Sequence, residues 1–217
     1  ALLDRLGDRG RLIATDDVRD LLEKARARLG EKAGKKVFFK RERPDALEFA
    51  PATFDGVCAA GLPVEYSLEA IVQQAARVVR PDGFVLMGIA AEGSFVEIFD
   101  LLREVLERED LARELDQLDR LQARLPDKRR ILELLQTNDF IECSVHVKQH
   151  RIEFERGIEL VSSCLVQRQC LESCLSIVRD RGWREGVLAA VVKAIDTYFP
   201  QGATLTINMA RIKGVRL

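Results

Sequence analysis

Residues 67–90 read Ser67-Leu-Glu-Ala-Ile-Val-Gln-Gln-Ala-Ala-Arg-Val-Val-Arg-Pro-Asp-Gly-Phe-Val-Leu-Met-Gly-Ile-Ala90, and two periodicities meet in them. Leu68, Ile71, Val72, Ala75 and Val79 recur at spacings of three and four, the stripe of one helix face, and Ser67 supplies a hydroxyl for the first turn. Pro81-Asp82-Gly83 is expected to stop that helix. Phe84 to Ala90 is then a continuous apolar run of strand length, the pattern of a strand with helices on both faces. A helix returning into a buried strand is part of a βαβ unit, so the fold class read here is α/β with a mostly parallel sheet.

The pattern extends toward the N-terminus. Arg11-Leu-Ile-Ala-Thr15 is a short strand ending at the acidic pair Asp16-Asp17. Val18, Leu21, Leu22, Ala25 and Leu29 give a helix face, with Gly30 as its stop. Lys36–Lys40 and Phe54–Gly61 are further strands, the second closing in the small residues Ala59, Ala60 and Gly61, which let another group approach the backbone.

Toward the C-terminus the periodicity turns helical. Residues 94–125 predict one or two amphipathic helices carrying Leu111, Leu115, Leu118, Leu121 and Leu125. Such a stripe packs on its own domain or, with its heptad-like spacing, forms the seam of a homodimer through helices 94–125. Residues 131–135 form another helix. Strands 140–151 and 203–216 are predicted to pair antiparallel at a sheet edge, with helices 154–199 inserted between them. The resulting division is a partial cofactor domain over 1–92, a helical cover over 93–139, and edge strands with inserted helices over 140–217.

At 217 residues the chain can bury a core, and 47% hydrophobic with 32% charged residues excludes disordered and collagen-like classes. A net charge of −1 supplies no broad cationic surface and argues against nucleic acid as the main partner. The sequence holds no apolar run of about 20 residues and no signal-peptide core at its start, so a cytoplasmic protein without membrane contact is expected. Five cysteines without a CxxC read as free thiols in a reducing compartment, with Cys164, Cys170 and Cys174 buried.

The order of elements and several short motifs resemble the class I S-adenosylmethionine-dependent methyltransferases. Gly10-Arg-Leu-Ile-Ala-Thr-Asp16 looks like that family's second strand with its terminal acid. Thr53-Phe-Asp-Gly-Val57 followed by Ala75-Ala-Arg-Val-Val-Arg-Pro-Asp-Gly83 is similar to its fourth strand and the turn before its fifth. Leu134-Leu-Gln-Thr-Asn-Asp-Phe-Ile141 is similar to its late helix-to-strand step. Phe95–Arg103 and Gly214-Val215-Arg216 faintly resemble the subgroup acting on malonyl-acyl-carrier protein. The resemblance implies a Rossmann-like sheet, S-adenosylmethionine as cofactor, and a small molecule or carrier-bound acyl group as substrate. It gives Asp16, with Asp17, to the cofactor's ribose diol, Asp45 to its adenine, and Ala59, Ala60 and Gly61 to its methionine portion. No catalytic base is assigned, since methyl transfer can run on positioning alone.

The family's first strand and glycine-rich loop have no counterpart after Ala1. That strand lies between the second and fourth in the sheet, and a strand's worth of unpaired backbone groups at about 1–3 kcal/mol each would exceed a domain's ~5–15 kcal/mol stability. The chain opens at Ala1, not at Met, and Ala1–Leu6 reads as the remainder of a helix. The expectation is therefore that residues upstream of Ala1 supply the strand and complete cofactor binding. Arg43, Ala60 and Asp82 depart from the family pattern, which supports an alternative: a degenerate methyltransferase-like pseudoenzyme serving as an interaction or assembly module.

Other features have plainer readings. Asp16 and Asp17 serve equally well as helix-capping charge. Glu65 and Tyr66 read as surface near a substrate mouth. His146 and His150 share a strand face, but no third ligand stands at metal spacing, so no metal is expected. Lys128-Arg129-Arg130 is a solvated mixed-charge face, and Trp183 is expected to anchor helices against one another.

Overall fold

The computed structural model describes residues 10–217, and the helix read over Ala1–Leu6 lies outside them. Contacts divide the chain into two units, one up to Ala50 and one from Pro51 onward.

In the first unit, β1 (Leu12–Asp16) and β2 (Val37–Arg41) pair in parallel, Leu12 opposite Val37 through Asp16 opposite Arg41. Between them runs α1 (Arg19–Leu29), ended by Gly30 at φ +52°. Val37 is buried, whereas α1 buries no residue completely and Ile13, Leu21 and Phe38 are exposed. Arg26 lies 5.4 Å from the Phe39 ring centroid, and Lys40 lies 4.8 Å from that of Phe49.

The second unit is built on a four-stranded sheet of order β3-β4-β6-β5. β3 (Phe54–Ala60) and β4 (Val79–Ala90) are parallel. β6 (Ala203–Arg216) is antiparallel to both β4 and β5 (Phe140–Phe154). Side chains alternate across these strands, so one sheet face presents Val85, Met87, Ile89, Ala210 and Ile212. On it pack α2 (Leu68–Val78), through Leu68, Ile71, Val72 and Ala75, and α5 (Lys128–Thr137), through Ile131 and Leu135. Full burial of each aliphatic side chain stabilises by roughly 1.5–3 kcal/mol. Ser67 caps α2 as expected, its Oγ accepting from the Ala70 N–H at 3.3 Å.

The β5–β6 hairpin runs past the end of β4, whose last ladder pair is Ala90 with Met209, and the helical part of the chain packs on this overhang. Leu205 and Ile207 join a second core with Phe99, Leu102 and Val105 of α3 (Val96–Arg108), Leu118 and Leu121 of α4 (Ala112–Gln122), and Val187, Val191 and Ile195 of α9 (Arg181–Tyr198). Between β5 and α9 lie α6 (Gly157–Ser162), α7 (Cys164–Val166), a π-helical turn (Gln167–Leu171) and α8 (Glu172–Ser176).

Several expectations are corrected. The α2 helix stops at Val78, ahead of Pro81-Asp82-Gly83, and Val79–Gly83 already belong to β4. Pro81 disfavours helical backbone at Arg80, and a bulge between Phe54 and Gly56 absorbs the extra residues. Asp82 adopts φ +61°, a left-handed conformation that favours the glycine usual in this turn. β5 runs three residues beyond Arg151, to Phe154, because β6 is long enough to pair it throughout. The leucine stripe is used within the chain: Leu118, Leu121 and Leu125 are buried, and Leu111 and Leu115 pack against the same core. Trp183 anchors no helix pair; it is 48% exposed, lining an open cavity with Val105, Gly186 and Ala190. Cys170 and Cys174 are buried but Cys164 is exposed, since it begins a three-residue helix. The mixed α/β class is as read, with parallel pairing in β1-β2 and in β3-β4 and an antiparallel edge at β6-β5, and the described strands fall in two sheets, one of two strands and one of four. Among the described strands β1 pairs only with β2, and β3 only with β4.

Candidate functional site

The carboxyl end of β1 delivers Asp16. Its Oδ1 accepts from the Val18 N–H at 2.8 Å and its carbonyl accepts from the Glu42 N–H at 3.2 Å, so the carboxylate sits at the start of α1. Asp17 follows, its carbonyl accepting from Arg41 Nε at 2.9 Å. After β2 the residue placed directly at the strand end is Glu42, 5% exposed, paired with Lys40 and accepting from the Glu48 N–H at 3.0 Å. Asp45 lies beyond it and pairs with Arg43 at 2.9 Å; that hydrogen bond to the guanidinium holds the Asp45 carboxyl below its ordinary range. The acid that the sequence offers after this strand is thus two residues, Glu42 buried and Asp45 in an ion pair.

In the second unit, the carboxyl end of β3 brings Ala59, Ala60 and Gly61 together as a strand end and turn. Gly61 has φ +68° and donates its N–H to the Gly88 carbonyl at 3.2 Å. The following residues carry a cavity of about 30 Å3 lined by Leu62, Val64, Tyr66, Ile89 and Leu125. Glu65 is exposed, as expected, but Tyr66 is buried in the core beneath it, its ring packed with the α2 and β4 side chains. Two further groups hold this end in place. Ser173, 3% exposed, donates to Glu65 Oε2 at 2.8 Å, and the Val64 N–H donates to the Gln169 carbonyl at 3.0 Å.

The carboxyl end of β4 is fixed by β6. The Ala91 N–H donates to the Asn208 carbonyl at 2.8 Å, Asn208 Nδ2 donates to the Glu92 carbonyl at 2.8 Å, and the Asn208 N–H donates to Ser94 Oγ at 2.9 Å. The turn this creates ends in Phe95, buried at φ +60° at the start of α3. Gln169, Ser173 and Asn208 were not marked by any motif. Gln169 stands in the polar triplet Gln167-Arg168-Gln169 between Val166 and Cys170, and nothing in that stretch sets it apart.

His146 and His150 project on one face of β5 opposite Arg211 and Ile207, and among the described residues no group of three or more His, Cys, Asp or Glu could hold a metal ion. The Cys170 thiol is pushed up by its contact with Cys174, 3.6 Å away, and by burial. Among the described residues no helix is long and apolar enough to cross a membrane.

A model of the methyltransferase domain matches residues 1–83, the stretch that holds Asp16, Asp45 and Ala59–Gly61. Solved structures extend the likeness over nearly the whole chain. YcgJ protein of Bacillus subtilis is 17% identical, with a TM-score of 0.58 over 95% of this chain and 82% of that one. A Bacillus halodurans protein provisionally assigned as a methyltransferase is 17% identical, with a TM-score of 0.56 over 95% and 83%. Phosphoethanolamine N-methyltransferase 2 of Haemonchus contortus, solved with S-adenosyl-L-methionine, is 16% identical, with a TM-score of 0.52 over 99% of this chain and 51% of that one. No curated protein matches the sequence. The fold is therefore that of these solved structures, Rossmann-like and mixed α/β.

Proposed function

We propose that the protein is an S-adenosylmethionine-dependent methyltransferase acting on a small molecule or a carrier-bound acyl group. The observation that carries this reading is the match of the methyltransferase domain to residues 1–83, the segment in which an acid ends β1 and small residues end β3.

The donor set suits the cofactor. A carboxylate has two acceptor oxygens for a vicinal diol, and Asp16 stands at a strand's carboxyl end, where open α/β sheets receive ligands. Asp17 adds negative charge beside it. Glu42 and Asp45 are the acids available to an adenine amino group. Ala59, Ala60 and Gly61 present backbone without bulky side chains, as the methionine portion requires. When bound, S-adenosylmethionine supplies a methyl group activated by its sulfonium. The chain's own contribution is positioning: Asn208 fixes the turn after β4, Ser173 orients Glu65, and the helices over 93–139 and 154–199 cover the acceptor and limit water.

Calorimetric titration of the intact protein with S-adenosylmethionine and S-adenosylhomocysteine tests the proposal. Micromolar binding, weakened at least tenfold in Asp16→Ala, is the expected result. The absence of heat at millimolar ligand would overturn the enzyme reading and leave the degenerate interaction module in its place.

A further inference from the structure

The helical stretch from Cys164 to Ser176 is interrupted by a π-helical turn, in which the Glu172 N–H reaches back five residues to the Gln167 carbonyl. Such a turn inserts one residue into a helix and occurs frequently at functional sites. Here the displaced register places Gln169 inward. Gln169 is 7% exposed, in a run whose neighbours Val166, Cys170 and Leu171 are fully buried. Its carbonyl accepts from the Val64 N–H, tying the helix to the turn after β3. Its amide nitrogen lies against that turn, 3.1 Å from where a Cβ on Gly61 would stand.

Its amide oxygen has no hydrogen-bond partner. A buried acceptor without a donor is costly, and proteins pair nearly all of them. A leucine would fill the same space without that cost. Ser173, four residues on and so on the same side of the helix, already donates to Glu65. This side of the helix therefore carries two buried polar groups facing residues 61–65, one satisfied and one not.

We propose that Gln169 is a specificity-determining residue for the methyl acceptor, its Oε1 accepting a hydrogen bond from an N–H or O–H of that molecule. The acceptor class this selects is amines and hydroxyl compounds, in preference to acceptors that offer no donor. Gly61 is part of the same device: any side chain there would crowd the amide. The inference rests on the methyltransferase reading, because it assigns the β3 end to the transferred group's neighbourhood.

The test uses the intact protein with its side-chain amides labelled for NMR. Benzylamine, phenol and 2-phenylethanol are titrated in the presence of S-adenosylhomocysteine, with anisole and acetophenone as probes of similar shape lacking an N–H or O–H. The expected result is a shift of the Gln169 side-chain amide signals by one or more of the first group and by neither of the second. In Gln169→Leu, binding of that probe weakens at least tenfold, the affinity for S-adenosylhomocysteine is unchanged, and the midpoint of thermal unfolding is unchanged or higher. If S-adenosylhomocysteine binds but no donor probe moves the Gln169 signals, or Gln169→Leu unfolds at lower temperature with probe affinity intact, Gln169 is structural and the inference fails alone. If S-adenosylhomocysteine does not bind the wild type, the methyltransferase reading fails and this inference falls with it.

Discussion

The two units of the chain solve the same folding problem with unequal means. In the first, a parallel strand pair and one helix leave Ile13, Leu21 and Phe38 exposed, and α1 buries no residue completely. In the second, helices bury two apolar clusters on and beyond a four-stranded sheet. The carboxylates of the first unit are correspondingly engaged in local structure, Asp16 at the start of α1 and Asp45 with Arg43, whereas the second unit retains an unpaired amide oxygen in its interior.

The strongest way to break this contrast is Phe99→Ala, expected to cost about 3–5 kcal/mol in urea unfolding because the ring is fully buried. A loss below 1 kcal/mol would mean the helical core is loosely packed. Gly61→Ala comes next, at about 1–2 kcal/mol, since a Cβ at φ +68° is strained. Asp16→Ala should cost about 0.5–2 kcal/mol through the lost acceptor for Val18, whereas Asp16→Asn retains that bond. A stable Asp16→Asn that no longer binds S-adenosylhomocysteine would separate the turn into α1 from ligand binding.

Asp45→Asn should cost less than about 1 kcal/mol, as expected of a pair open to solvent on the Arg43 side. Its signature is in the pH dependence. The Asp45 carboxyl is held below its ordinary range when folded, so its contribution is complete above the usual carboxylate pKa and disappears as pH falls through the lowered value. The variant should therefore lose less stability on acidification than the wild type; equal acid sensitivity would contradict the pairing. The smallest effect is expected at Ile13→Ala, within about 0.5 kcal/mol, because the side chain is 37% exposed. A large loss there would contradict the exposure of this strand face.

Local pattern carried much of the fold. The stripe from Leu68 to Ala75, the cap at Ser67 and the apolar run from Phe84 to Ala90 each follow from periodicity, and the antiparallel match of residues 140–151 with 203–216 follows from two long strands at the end of the chain. What stayed hidden depends on distant partners. The early end of α2 needed the bulge opposite Phe54; the exposure of Trp183 needed the small residues Gly186 and Ala190 beside it. For the candidate site, Asp16 and Ala59–Gly61 were visible as strand ends. Gln169 was not, because a π-turn has no composition of its own and its consequence appears only when the helix meets the Gly61 turn.

The overhanging hairpin has an architectural consequence. Phe154 and Ala203 are cross-strand partners, so the chain that leaves the ladder at one returns at the other, and everything from 155 to 202 is an insertion into what would otherwise be a plain β-hairpin. The insertion and the overhang hold each other in place, since Val187, Val191 and Ile195 share one core with Leu205 and Ile207.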